Sequence, residues 1–287
     1  MKNTNLLLGA HLSIAGGFDK AIEKAQETGA NCMQIFTKSN RQWKAKNITK
    51  EESDLFISKQ KNSSVSIVVA HAAYLINLGS KSDETVEKST ISLAQELQRC
   101  EQLKIPYLVL HPGTARYEDE ERSLQFVAQQ IDVAITTSKT HTVILLLETM
   151  AGQGKTIGHT FRQLATIIQH AHHKSRIGVC FDTCHAFVAG YDFHTPELYK
   201  KMWHEFDTTI GLEKLKAFHI NDSKKELGSK VDRHEEIGLG KIPLSAFELI
   251  LKDLKFKNIP KIIETPEGSN KVEHDKKNLE VLRKLVE

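Results

Sequence analysis

A closed barrel of eight parallel strands, each followed by a helix, is the fold class the sequence predicts. Three observations lead there. Eight short apolar runs recur along the chain, segments of helical periodicity separate them, and no break in composition divides the 287 residues. The runs are 6–12 (LLLGAHL), 32–36 (CMQIF), 66–71 (SIVVAH), 107–111 (YLVLH), 143–148 (VILLLE), 177–182 (IGVCFD), 215–220 (LKAFHI) and 261–265 (KIIET). Most are continuous in Val, Ile, Leu and Phe rather than alternating, as strands covered on both faces are. An open doubly wound sheet is the competing arrangement, but eight repeats without an interruption fit closure better. The (β/α)8 barrel is expected to span 1–287 as one domain, a length usual for this architecture.

Between the runs, Phe18, Ala21, Ile22 and Ala25 form one apolar helical stripe, closed by Gly29 as a C-terminal cap. Val86, Thr90, Leu93, Leu97 and Cys100 form another, Phe161, Leu164, Ala165 and Ile168 a third, and Phe247, Ile250, Leu251 and Leu254 a fourth. Thr195 and Pro196 make an N-cap and first-turn pair, and Tyr199, Met202, Trp203, Phe206 and Ile210 follow at helical spacing. Residues 51–61 give the weakest pattern; 124–135 and 279–285 complete the set.

Composition bounds the function less tightly. Lys and Arg number 39 against 36 Asp and Glu, a formal charge of +3. That excess is too small to announce a nucleic-acid binder, so any phosphate affinity must come from local placement. Cys32, Cys100, Cys180 and Cys184 form no C-x-x-C pair and read as reduced thiols. The opening MKNTNLLLG carries no leader pattern, and no apolar run approaches the ~20 residues of a membrane helix. A soluble, cytoplasmic protein without membrane association is expected.

The last residues of the runs carry the chemistry. The third ends at His71, the fourth at His111, the fifth at Glu148, and the sixth at Asp182 with His185 three residues on. The seventh carries His219, the loop after it holds Asp232, Arg233 and His234, and the eighth reaches Glu264. In a barrel these ends converge on the face where active sites lie. One such residue alone is more often a cap or a satisfied polar group, but six successive strand ends are not explained that way. Carboxylates crowded at one mouth would repel one another without bound cations. Five imidazoles and four carboxylates exceed the needs of one tetrahedral ion and suit two or three, with a carboxylate shared. The imidazole content favours zinc or manganese over magnesium or calcium. Such multi-metal sites activate water and clamp both oxygens of a phosphoester displacement, so metal-assisted hydrolysis of a phosphodiester is the expected chemistry.

Other features weigh less. Gly152-Gln153-Gly154-Lys155-Thr156 resembles the end of a phosphate-binding loop, but its pattern needs a glycine where Thr149 stands, so no nucleotide cofactor is expected. His11 is either a buried, hydrogen-bonded histidine or a support for the site. Cys184 could reach a metal, although the oxygen and nitrogen donors already suffice. His141, His159, His170, His172, His173, His194, His204 and His274 read as surface residues. Lys38, Arg41, Lys44 and Lys46, with Trp43 among them, follow the second strand; Lys224, Lys225, Lys230 and Arg233 follow the seventh. Both loops rim the expected mouth and are candidates for phosphate contact.

The stretches 71–79 (HAAYLINLG), 178–187 (GVCFDTCHAF), 219–223 (HINDS) and 231–234 (VDRH), with 9–17 (GAHLSIAGG) and 36–43 (FTKSNRQW), resemble the endonuclease IV family of type 2 apurinic/apyrimidinic endonucleases. The resemblance runs from the first strand to Glu264. It implies a (β/α)8 barrel holding three zinc ions: one on His71, His111 and Glu148; a second on Glu148, Asp182, His219 and Glu264; a third on His185, Asp232 and His234. Glu148, Glu264 and His111 would act in catalysis, and Arg41, Tyr74 and Leu75 would insert into DNA. The implied partner is double-stranded DNA with abasic sites or blocked 3′ ends, met by a monomer. The implied reaction cuts 5′ to the abasic deoxyribose and leaves a 3′-hydroxyl and a 5′-deoxyribose phosphate. Two other readings remain open: a metal-dependent sugar isomerase or epimerase on a similar barrel, which needs fewer ligands, and a damage-binding protein without catalysis.

Overall fold

The apolar runs become strands because each can bury both faces, one toward the barrel interior and one under helices. In the computed structural model these are β1 (Leu8–Leu12), β2 (Cys32–Phe36), β3 (Ile67–His71), β4 (Tyr107–Leu110), β5 (Ile144–Glu148), β6 (Ile177–Asp182) and β7 (Leu215–His219). Two short strands, β8 (Asp222–Ser223) and β9 (His234–Glu235), precede β10 (Lys261–Ile263). Strands β1 to β7 and β10 pair in parallel, and β10 lies between β7 and β1 to close the barrel. The structure describes residues 6–266 and 270–287. The first five residues of the opening in which no leader pattern is read lie outside the described residues.

Nine α-helices are present among the described residues: α1 (Phe18–Glu27), α2 (Lys50–Lys61), α3 (Asp83–Gln102), α4 (Glu120–Ser138), α5 (Phe161–His170), α6 (Thr183–Ala189), α7 (Pro196–Thr209), α8 (Leu244–Lys252) and α9 (Lys271–Lys284). Side chains cap their first turns: Ser82, Asp119, Thr160 and Thr195 each accept a backbone N–H. The weakly patterned α2 is fixed by a capping box between Thr49 and Glu52. Gly29 follows α1 at φ 73°, where its lack of a Cβ removes the penalty of the left-handed turn.

Three features differ from expectation. Leu254 is 82% exposed, because α8 stops at Lys252 and Asp253 caps a short turn that buries Phe256 instead. Helix α6 starts directly after β6, since the Asp182 carboxylate accepts the His185 N–H and so begins a helix at the strand's last residue. The β8–β9 hairpin, too short for any periodicity to reveal, occupies the loop after β7.

Val69, Val109, Leu146, Cys180 and Ala217 pack together, and each lies two residues before a His or carboxylate position of the mouth. A far larger cluster lies between strands and helices. All four cysteines are free and buried. Among the described residues, no helix is long and apolar enough to cross a membrane.

Gly9 marks the tightest strand contact, since a Cβ there would collide with the Cys32 carbonyl oxygen of β2. Gly9→Ala must therefore push two barrel strands apart. A loss of about 3 kcal/mol, the upper range for overpacking a core, is expected as a lower urea midpoint with an unchanged slope.

Candidate metal centre

Strand register brings the polar ends together. Side chains alternate along a strand, so even offsets between neighbours keep them on one face. His71 stands opposite Val109, two residues before His111. Glu148 stands opposite Cys180, two before Asp182. Asp182 is directly opposite His219, and His219 faces Ile262, two before Glu264. His111 and Glu264 lie one residue beyond β4 and β10, so they share this face without being in the ladder.

Glu148 is the hub. Its fully buried carboxylate lies 3.3 Å from His71 Nε2, 3.1 Å from His111 Nε2, 3.0 Å from His219 Nδ1 and 3.2 Å from His185 Nδ1. His219 Nδ1 is also 3.2 Å from Glu264 and 3.8 Å from Asp182. Farther along, His185 Nε2 is 3.1 Å from Asp232, and His234 Nε2 is 3.5 Å from Asp232 and 3.9 Å from Asp182. Donor atoms thus gather into three groups able to hold an ion: His71, His111 and Glu148; Glu148, Asp182, His219 and Glu264; His185, Asp232 and His234. Asp182, Cys184 and His234 form an overlapping fourth. Burial pushes the Cys184 thiol up to about 12, which makes it the poorest donor of that set.

The imidazoles are oriented as ligands are. His71 Nδ1 lies 2.7 Å from the Ala72 carbonyl, His185 Nδ1 3.0 Å from that of Thr149, and His234 Nδ1 3.0 Å from that of Glu264. A carbonyl only accepts, so each Nδ1 carries the proton and each Nε2 lone pair faces the carboxylates. His185 Nε2 and His234 Nε2 are buried without a hydrogen-bond partner. A lone pair aimed at a carboxylate repels it unless a proton or a cation lies between, so this donor set fits bound cations.

The charges respond to the crowding. Burial opposes ionisation of Glu148, yet His219 and His111 hold it well below the usual carboxylate range. Glu264 is likewise held down by His219 and His11 against burial. Burial opposes protonation of His185, and the neighbouring Asp182 and Asp232 overcome it to hold that imidazole well above its usual value. Asp182 is pushed up by burial, whereas Asp232, against the same opposition, falls to about 2 beside His185.

The loops are tied to this centre. Asn221 donates to Asp182 (2.6 Å) and accepts the Glu264 N–H (2.6 Å), bridging two strand ends. Asp222 accepts the N–H groups of Ser223, Gly238, Gly240 and Ile242, folding the segment beside the β8–β9 hairpin. Gln153 accepts the Asp232 N–H at 3.1 Å, which gives the glycine-rich loop a structural task. That loop leads into α5 only at Phe161, unlike a strand-to-helix phosphate loop. His11 is 2.9 Å from Glu264, a contact that meets both of its readings.

Sequence reasoning overlooked Gln34, Asn221 and Asp222. Gln34 and Asn221 were visible only as lone amides in apolar segments, and Asp222 as one acid in a polar loop.

Arg41 and Tyr74 line a cleft of about 920 Å³ together with His11, Phe36 and Glu264. Tyr74 is 56% exposed, its ring 5.4 Å from His71 and 5.7 Å from His111. Leu75 is half-buried beside it. Lys44, Lys224, Lys225, Lys230 and Arg233 are exposed, and Lys46 pairs with Glu52. Lys38 departs from the expected phosphate contact. It is buried, 3.5 Å from the buried Glu96, and donates to Ser92 (2.7 Å) and to the Gln42 and Trp43 carbonyls. Glu96 in turn accepts the Ala73 N–H at 3.2 Å, next to Tyr74. Lys38 therefore fastens the Arg41 loop and the Tyr74 loop to α3 and is not available to phosphate.

A closed barrel of parallel strands ringed by helices is a TIM barrel, and the model of the xylose isomerase-like TIM barrel family matches residues 22–285. A protein of Chloroflexus aggregans named "Probable endonuclease 4" is 46% identical over 278 residues, covering 97% of each chain. The crystal structure of endonuclease IV from Thermus thermophilus is 35% identical with a TM-score of 0.86, covering 97% of this chain and 98% of that one. The chain belongs to the endonuclease IV family. A D-psicose 3-epimerase from Clostridium cellulolyticum, 13% identical over 98% of this chain and 100% of its own, has a TM-score of 0.71 and shares the fold alone.

Lys38→Met leaves the Glu96 carboxylate buried without its partner. A destabilisation of about 3–5 kcal/mol is expected in urea unfolding at neutral pH. Adding Glu96→Gln should recover most of it, and an equally unstable double variant would show that the pair's charge is not what matters.

Proposed function

We propose that this chain is a zinc-dependent endonuclease. It would hydrolyse the DNA phosphodiester 5′ to an abasic deoxyribose and remove blocking groups from 3′ ends, working as a cytoplasmic monomer. The observation that carries this reading is the set of three adjacent donor groups, two of them sharing Glu148, beside a cleft lined by Arg41 and Tyr74. Membership of the endonuclease IV family supports it. Five imidazoles among nine donors favour zinc, and the grouping suits three ions.

His71, His111 and Glu148 would hold one ion; Glu148, Asp182, His219 and Glu264 a second; His185, Asp232 and His234 a third. When bound, such ions supply an activated water and charge stabilisation for a phosphoryl displacement. The protein's own part is geometric. Glu148 and Glu264 are held in the ionised form in a buried site, and His111 is the most exposed imidazole around Glu148. The backbone carbonyls of Ala72, Thr149 and Glu264 keep three imidazoles in one tautomer, so no reorganisation is needed as charge develops. No Ser or Cys nucleophile is required.

A sugar isomerase would have no use for the His185, Asp232 and His234 group, and the epimerase likeness is one of fold. One assay separates the readings. A duplex carrying a single abasic analogue should be cut once, 5′ to the lesion. Chelation should abolish the cut, and added zinc should restore it, with close to three zinc per chain. Tight binding without cleavage by the zinc-loaded protein would favour a damage-binding role, and full cleavage by rigorously metal-free protein would sink the metal reading.

Selectivity must come from side chains that probe the duplex. An abasic nucleotide has no stacked base and is the cheapest to extrude, and inserted residues can replace the lost stacking. Arg41, Tyr74 and Leu75 are the candidates, Tyr74 being exposed directly above two imidazoles. Arg41→Ala with Tyr74→Ala should weaken binding to abasic DNA by about 2–3 kcal/mol, the order of one unstacked step. Zinc content should be unchanged, and affinity for intact duplex, set by phosphate contacts, should barely move. Equal losses on both substrates would make these residues general contacts.

A further inference from the structure

Each barrel strand sends one polar side chain into the mouth. On β1, β3 to β7 and β10 these are His11, His71, His111, Glu148, Asp182, His219 and Glu264, all able to titrate or bind a cation. The contribution of β2 is Gln34, a neutral amide that is fully buried. Its register explains its place: Gln34 stands opposite His11 and opposite Val69, two residues before His71.

The amide makes three contacts. Nε2 lies 2.7 Å from Glu264 Oε1 and 3.0 Å from His11 Nδ1, and Oε1 lies 2.8 Å from His219 Nε2. A carboxylate oxygen accepts, so the NH2 group faces Glu264. The carbonyl end is then left toward His219, whose Nε2 must carry the ring proton. His219 Nδ1 consequently presents its lone pair to Glu148, Glu264 and Asp182. One side chain thus sets the tautomer of one member of this group and the rotamer of another. The three other oriented imidazoles use backbone carbonyls for the same purpose, but they expose Nε2. His219 exposes Nδ1, and the acceptor for its Nε2 comes from β2 as the Gln34 side chain.

We propose that Gln34 is a positioning residue for the central ion, selecting the ligating tautomer of His219 and aligning Glu264 without adding charge. This rests on the metal-centre reading above. Outer hydrogen-bond partners of metal ligands are worth about ten- to a hundredfold in metal affinity. Gln34→Met keeps the length and removes the polar contacts to Glu264, His11 and His219.

The test is chelator competition on the zinc-loaded protein, read beside NMR of the imidazole protons. In the wild type, a slowly exchanging His219 Nε2–H signal is expected. In Gln34→Met that signal should vanish, and one zinc of the set should bind at least about tenfold more weakly while the others are unchanged. Gln34→Glu, which keeps an acceptor for His219 but loses the donor to Glu264, should retain the signal. It carries the comparison should Gln34→Met lose the barrel's circular dichroism. Unchanged zinc affinity and an unchanged proton signal in a folded Gln34→Met would overturn the assignment. A wild-type protein that takes up no zinc would overturn the metal-centre reading itself.

Discussion

Side chains alternate along a strand, so a strand slipped by one residue would turn its polar end group away from the mouth and into the apolar layer under the helices. The barrel avoids this by holding neighbouring strands at offsets of zero or two residues at the mouth. Each displaced group would leave a charge buried without partners, so the offsets and the site enforce one another. The apolar residues two positions below the mouth groups, such as Val109 and Leu146, fill the interior on the same parity. The floor of the site and its chemistry are thus set by one periodicity.

Crowding makes the centre demanding. Glu148 faces four imidazoles, and Asp182 must cap α6 while facing His219 and His234. Such a site is tolerable only when every remaining lone pair and proton is directed. Backbone carbonyls direct His71, His185 and His234, and Asn221 ties Asp182 to the Glu264 backbone. The loops are held as firmly. The buried Lys38–Glu96 pair fastens the segments carrying Arg41 and Tyr74 to α3, which lets exposed side chains stand on a rigid base.

The barrel was legible because its strands are continuous apolar runs and its helices carry caps, as with Thr195 and Pro196. The polar ends of β3 to β7 were legible for the same reason: His71 or Glu148 ends a run of Val, Ile and Leu. What stayed hidden lacked such contrast. Gln34 sits inside its run, and β2 ends in Phe36, so attention to strand ends passes over it. Helix α6 was masked because Asp182 serves two elements at once. Leu254 fits a helical stripe by spacing, but spacing does not reveal that Asp253 starts a new turn. Lys38 read as one more loop cation because its partner Glu96 lies in another element, 58 residues away by sequence number. Pairings across elements leave no local trace.

The closing strand has a consequence for synthesis. β10 completes the barrel between β7 and β1, and Glu264, one residue past it, meets His11 of the first strand across 253 positions of sequence. A chain still emerging from the ribosome therefore lacks a finished mouth until Glu264 has been translated. The group that includes Glu264 cannot assemble beforehand, whatever the earlier strands have formed. A chain cut before Glu264 therefore cannot carry a complete centre.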